Sequence, residues 1–234
     1  MRLGIMQPYF FPYLGYYSLI KNTDQWIVFD EVQFIRHGWI ERNRVLKPVE
    51  GWQYVSVPLQ KHERTTKICD INIRKEDWQG KMLRQLEHYK KAPFYAQTIE
   101  VINACFALDT DSITKLNAHI LATTCNYLGI DFKYQIFSEM NLAIDPVNDA
   151  GEWALHISKA MGASEYINPP GGIEIFDKNK FEDANIKLKF LAIDLREYGQ
   201  RRRTFEPGLS IIDVMMFNDV NEINQMLNEF KFID

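Results

Sequence analysis

Arg36, His37, Trp39, Arg42, Asn43, Arg44 and Lys47 fall within a dozen positions, and the arginines among them suit clamping of a phosphate or carboxylate. A guanidinium presents a planar fork that grips carboxylate or phosphate through two parallel bonds. If residues 40–45 are extended, Arg42 and Arg44 share one face and Asn43 takes the other. Trp39 offers a flat wall for a ring, and the His37 imidazole can accept a proton near neutrality. The competing reading is a solvated, charged strand.

Other groups have their own chemistry. Asp30 and Glu31 end the apolar run Gln25–Phe29, where an acid can hold hydroxyls, act as a base or ligate a cation. On an extended segment these neighbours point to opposite faces, so they cannot share a proton. Gln7 closes the apolar run Arg2–Met6, and its carboxamide needs partners or a cleft. Tyr9, Phe10, Phe11, Tyr13, Tyr16 and Tyr17 follow; Tyr9 and Tyr16 are expected to line a ring pocket. Asn168-Pro-Pro-Gly171-Gly172 reads as a loop whose paired glycines could offer backbone amides to an anion. Arg201, Arg202 and Arg203 form a second basic cluster, which a solvated loop also explains.

Nucleophiles are poorly advertised. Ser210 lacks a Gly-x-Ser-x-Gly setting and reads as a helix N-cap. His88, His119 and His156 lack metal-ligand spacing, and Cys69, Cys105 and Cys125 lack a CxxC context, so no metal is expected.

Elements must position these groups. Strand-like runs occupy 2–6, 25–29, 51–59, 132–137, 164–167 and 186–193. Helical patterns cover 15–20, 76–91, 94–106, 111–128 with Asp111 as N-cap, 149–161, 210–217 and 220–230. This order predicts an α/β fold: a mainly parallel, Rossmann-like sheet flanked by helices, with a helical segment around 76–128. A single α/β domain over 1–234 is expected, with 76–128 as a helical subdomain. In such sheets the site lies beyond the carboxyl ends of the strands, which places Gln7, Asp30, Arg44, Asn168 and Tyr198 along one cleft.

Four segments carry a family resemblance: MQPYFFPYLGYYSLI (6–20), FDEVQFIRHGWIERNRV (29–45), GASEYINPPGGIEIF (162–176) and FEPGLSIIDVMM (205–216). Together they resemble the WbqC-like protein family. Arg42, Asn43 and Arg44 match its Arg-Asn-Arg element, and Asp30, Val32 and Gln33 its acidic–Val–Gln element. Position 41, often Asn there, is Glu here. The resemblance implies a place in bacterial surface-polysaccharide (O-antigen) biosynthesis and transfer of an acyl or aminoacyl group to an amino sugar. A looser resemblance links the opening to adenylyl- and cytidylyltransferases. Their phosphate-cradling histidines are replaced here by Tyr13 and Tyr16, which disfavours the same nucleotidyl transfer.

Twenty-seven basic against 31 acidic residues give a net charge of −4, which argues against a nucleic-acid coat. No apolar run reaches the ~20 residues of a membrane span, and the aromatic, proline-broken start is unlike a signal peptide. Three scattered cysteines suit a reducing compartment, so the cytoplasm is expected. The expected enzyme binds a small-molecule nucleotide-sugar through Arg42, Arg44 and Arg202, with Asp30 or His37 accepting the amine proton. Its substrate contacts would be Gln7, Tyr9, Tyr16, Gln33, Trp39, Asn43, Asn168, Gly171, Gly172 and Tyr198. No cofactor is assigned, and a homodimer is left open. The alternatives are a nucleotide-binding or nucleotidyltransferase-like enzyme and a non-catalytic sugar-nucleotide or partner-binding protein.

Overall fold

The computed structural model describes residues 1–233. Along the chain run β1 (Arg2–Met6), α1 (Leu14–Lys21), β2 (Gln25–Val28), β3 (Arg42–Leu46) and β4 (Trp52–Ser56). Three helices follow: α2 (Trp78–Gln85), α3 (Tyr95–Cys105) and α4 (Ile113–Leu128). Then come β5 (Tyr134–Ile136), α5 (Glu152–Ala160), β6 (Glu165–Asn168), α6 (Lys178–Asp183) and β7 (Lys187–Ile193). The last elements are α7 (Ile211–Phe217), α8 (Val220–Met226) and β8 (Phe230–Ile233).

Six strands form one sheet in the order β5-β2-β1-β6-β7-β8, parallel except for β8. Strand β1 sits inside the sheet with both faces covered, hence the uninterrupted burial of Leu3, Gly4 and Ile5. Successive residues alternate between two cores. Ile27 faces the core beneath α5 and α6, while Trp26 and Val28 face the larger core under α1, α4 and α7. This is a Rossmann-like α/β arrangement.

Gly4 makes the central pairing possible. A Cβ there would come within 2.4 Å of the Trp26 indole on β2. Gly4→Ala is therefore expected to lower stability by about 1–3 kcal/mol through overpacking, readable as a shift in the urea midpoint at unchanged slope.

Several expectations need correction. The helix expected over 220–230 stops at Met226, because Phe230-Lys231-Phe232-Ile233 alternates with period two and pairs antiparallel with Phe190–Ile193. Ser112 rather than Asp111 caps α4, its hydroxyl accepting from the Lys115 amide. The helix read over 76–91 breaks into α2 and a 3₁₀ turn, Glu87–Lys91. Residues 51–59 contribute β4, which leaves the main sheet to form an antiparallel hairpin with β3. Helix α6 was not anticipated.

Candidate functional site

Strands β1 and β6 lie side by side, yet the chain leaves β1 toward β2 and reaches β6 by crossing over from β5. This is the switch point at which open α/β sheets bind ligands. The loop after β1, residues 7–13, is fixed there by donors from distant segments. The Tyr16 hydroxyl donates to the Gln7 carbonyl at 2.8 Å. The Asn117 amide donates to the carbonyls of Pro8 and Ile40 at 2.9 Å each. The Asn43 amide, on β3, donates to the carbonyls of Phe10 and Phe11 at 3.0 Å each. Ser210 donates its hydroxyl to Phe11 at 2.7 Å while capping α7.

Held in this way, Phe11 adopts φ +38°, a costly conformation for a buried aromatic residue. Two other residues unusual in this region, His37 (φ +62°) and Arg201 (φ +53°), lie in the loops before β3 and after β7. The remaining non-glycine cases are asparagines, which tolerate it. Strain thus gathers in loops neighbouring the hairpin.

These loops and the hairpin enclose a cavity of about 240 Å³ lined by Tyr9, Pro12, Tyr13, Trp39, Asn43, Arg44, Leu195 and Gly208. Arg44 defines its chemistry. Its guanidinium lies 5.5 Å from the Trp39 ring centre and 5.2 Å from that of Trp52, and it donates to the Gly208 carbonyl at 3.1 Å. Arg42 stacks 3.9 Å over Tyr54 and donates to the His37 carbonyl. Neither guanidinium has a carboxylate within 4 Å among the described residues. The Nε–H groups of Arg42, Arg44 and Arg202 are buried without an acceptor among those residues. Aromatic walls and an oriented guanidinium suit a ring bearing negative charge.

The other expected residues divide sharply. Tyr9 and Trp39 line the cavity with Arg44, and Tyr16 lies buried behind Tyr9, ring centres 5.6 Å apart. Asn43 borders the cavity, but its amide is committed to Phe10 and Phe11 and its oxygen accepts from the Arg44 amide. Gln7 is half-buried at the end of β1. Asp30 is fully buried, its carboxylate accepting the amide and hydroxyl of Ser138. Burial raises its pKa, and those two bonds oppose the rise.

His37 is exposed, its backbone amide held by Glu41 at 2.6 Å. Gln33 is also exposed, its amide on the Arg64 carbonyl. Asn168 turns its amide to the Tyr166 hydroxyl. Gly172 allows this approach, since a Cβ would meet the Asn168 oxygen at 2.3 Å, and its own amide is spent on the Pro169 carbonyl. Gly171 is exposed in the same 3₁₀ turn, Pro170–Ile175. Arg202 clamps the carbonyls of Lys47 and Pro48 at the hairpin tip. The expected single cleft is therefore not seen as such: of its five residues, only Arg44 opens on this cavity.

Tyr198 also turns inward. Its hydroxyl and that of Tyr89 donate to Asp213, at 2.7 and 2.5 Å, and the Gln200 amide adds a third bond at 3.0 Å. Tyr89 in turn accepts from the Leu46 amide on β3, so this carboxylate ties hairpin, helix and loop together. Burial lifts the Asp213 pKa to about 6, against the pull of its three donors. An acid with a raised folded-state pKa gives stability that is full below its unfolded value of 3.8 and declines as pH climbs toward 6. Wild type is thus expected to lose on the order of 3 kcal/mol relative to Asp213→Asn across that interval, with no further change above it. Urea melts of both proteins at stepped pH would check this.

Thiolate chemistry is not favoured. Burial, aided by Asp30 and Asp70, pushes the Cys69 thiol up to about 11; burial pushes Cys105 to about 12 and Cys125 higher.

Fold and cavity define a Rossmann-like protein with an aromatic, arginine-bearing pocket beside the carboxyl edge of its sheet. The sequence model of the WbqC-like protein family matches residues 7–225, and the chain belongs to that family. It is 28% identical over 221 residues, 93% of each chain, to the uncharacterized protein Rv1507c of Mycobacterium tuberculosis (strain ATCC 25618 / H37Rv). No solved structure matches. No helix among the described residues is long and apolar enough to cross a membrane.

Proposed function

We propose that this protein transfers an acyl or aminoacyl group to the amine of a nucleotide-linked amino sugar in the synthesis of a bacterial surface polysaccharide of the O-antigen kind. The observation that carries this reading is the placement of Arg44 between Trp39 and Trp52, facing Tyr9 and Tyr13 across one cavity. The rings would cover the apolar face of the sugar, and Arg44, supported by Arg42, would hold its anionic substituent. The amine nitrogen attacks the carbonyl carbon of the donor, the bond from that carbon to its leaving group breaks, and the amine proton passes to His37. His37 suits this role better than Asp30, which is sealed behind Ser138.

A second reading, favoured by that sealed carboxylate, is a protein that binds the sugar nucleotide without turnover. Melting shifts with UDP- and dTDP-linked amino sugars, followed by mass spectrometry of the sugar after adding an acyl thioester, test both. Binding with mass gain supports transfer. Binding alone favours the second reading, and the absence of both binding and mass gain would remove both.

A further inference from the structure

A cavity of about 240 Å³ is smaller than the roughly 300–1,000 Å³ of sites that enclose a whole ligand, so it takes one ring and leaves the rest of a sugar nucleotide outside. The loop carrying Arg201, Arg202 and Arg203 lies against the outer end of the hairpin. Arg202 binds the carbonyls of Lys47 and Pro48, Arg201 binds the Lys91 carbonyl, and Gln200 anchors the loop to buried Asp213. A merely solvated run of charge has no need of three anchors or of a positive φ at Arg201.

The anchors set the loop Arg201–Arg203 against the backbone of Lys47 and Lys91, and none of these five residues has a carboxylate within 4 Å among the described residues. Arg2, Arg74, Arg84 and Arg196 are each paired with a carboxylate, whereas, among the described residues, Arg36, Arg42, Arg44 and Arg64, nearer the hairpin in sequence, are not. Glu50 is the sole acid on the tip at 47–51. From Arg44 to Lys47 is three residues of strand, about 10 Å, within reach of a diphosphate and its ribose.

We infer that this rim is a second anion subsite, which binds the diphosphate of a nucleoside diphosphate whose sugar occupies the ring cavity. The inference rests on the sugar-nucleotide reading above and adds where the nucleotide lies. The aromatic cavity reads the sugar, and the rim supplies charge that holds the diphosphate of any nucleoside diphosphate.

Calorimetry on the full chain with UDP, inorganic pyrophosphate and glucosamine 1-phosphate, whose single phosphate Arg44 would hold, at low and high salt, tests it. UDP and pyrophosphate are expected to bind, more weakly as salt rises. Arg203→Glu and, separately, Lys91→Glu should each weaken both about tenfold while glucosamine 1-phosphate binding and the melting temperature stay unchanged. UDP affinity unmoved by either reversal, yet reduced by Arg44→Lys, would overturn the rim and leave the sugar-nucleotide reading standing. Absence of binding by all three probes would overturn both. Sedimentation with phosphatidylglycerol vesicles that Arg203→Glu abolishes, with UDP affinity untouched, would assign the rim to a bilayer and likewise overturn the inference.

Discussion

Asn43→Ala is expected to cost about 3–5 kcal/mol of folding stability, at 1–3 kcal/mol for each buried polar group left without a partner. The Phe10 carbonyl loses the Asn43 amide, Phe11 keeps only Ser210, and the Arg44 amide loses its acceptor. A loss of that size is a large part of the stability of an ordinary domain. Phe11 is held at φ +38° by these same bonds, so the residues 7–13 should relax and take Tyr9 and Tyr13 out of the cavity wall. Asn43→Asp separates shape from donation. It keeps the volume but sets a carboxylate against two carbonyl oxygens, so it should be as harmful as alanine at neutral pH and milder in acid, where the protonated form donates once. Urea denaturation of the three proteins at two pH values measures this. If Asn43→Ala unfolds like wild type, the clamp on 7–13 is not what holds the loop.

The sheet was legible in the sequence because its strands are short apolar runs bounded by polar or glycine-bearing turns. Arg2–Met6, Gln25–Val28 and Lys187–Ile193 each had to be buried, and local pattern suffices for that. Phe230–Ile233 escaped because four alternating residues directly after a capped helix look like its continuation. The shared face of Arg42 and Arg44 was legible, since period two decides it.

Their surroundings were not. Trp52 reaches Arg44 through the hairpin register, and Leu195 and Gly208 arrive from a loop more than 150 residues away. Asn117 lies inside the helical pattern 111–128 with no local signal of its own, and only the fold reveals that it holds Pro8 and Ile40. Ser210 was identified as a cap from its neighbours, while its bond to Phe11 has no local signature. Asp30 and Tyr198 show the reverse failure. Both stand where a site residue should, just past a strand, but their polar atoms are spent on Ser138 and Asp213 inside the protein.

Arg44 is the residue on which the functional reading depends. It is half-buried, pinned by one carbonyl and two indoles, and carries an unspent donor. A lysine keeps the charge but cannot reproduce a planar fork against the two indoles. Losing a charge-assisted contact of this kind costs about 1.5–3 kcal/mol of binding, a ten- to hundredfold drop in affinity. Stability should move by less than about 1 kcal/mol, since a single bond to Gly208 and two cation–ring contacts are at stake and the ammonium retains part of them. Arg44→Lys titrated with a UDP-linked amino sugar by calorimetry, with its urea melt in parallel, is the most direct test. A ten- to hundredfold weaker complex at near wild-type stability is predicted, whereas unchanged affinity with a large loss of stability would make Arg44 a structural residue and contradict the site.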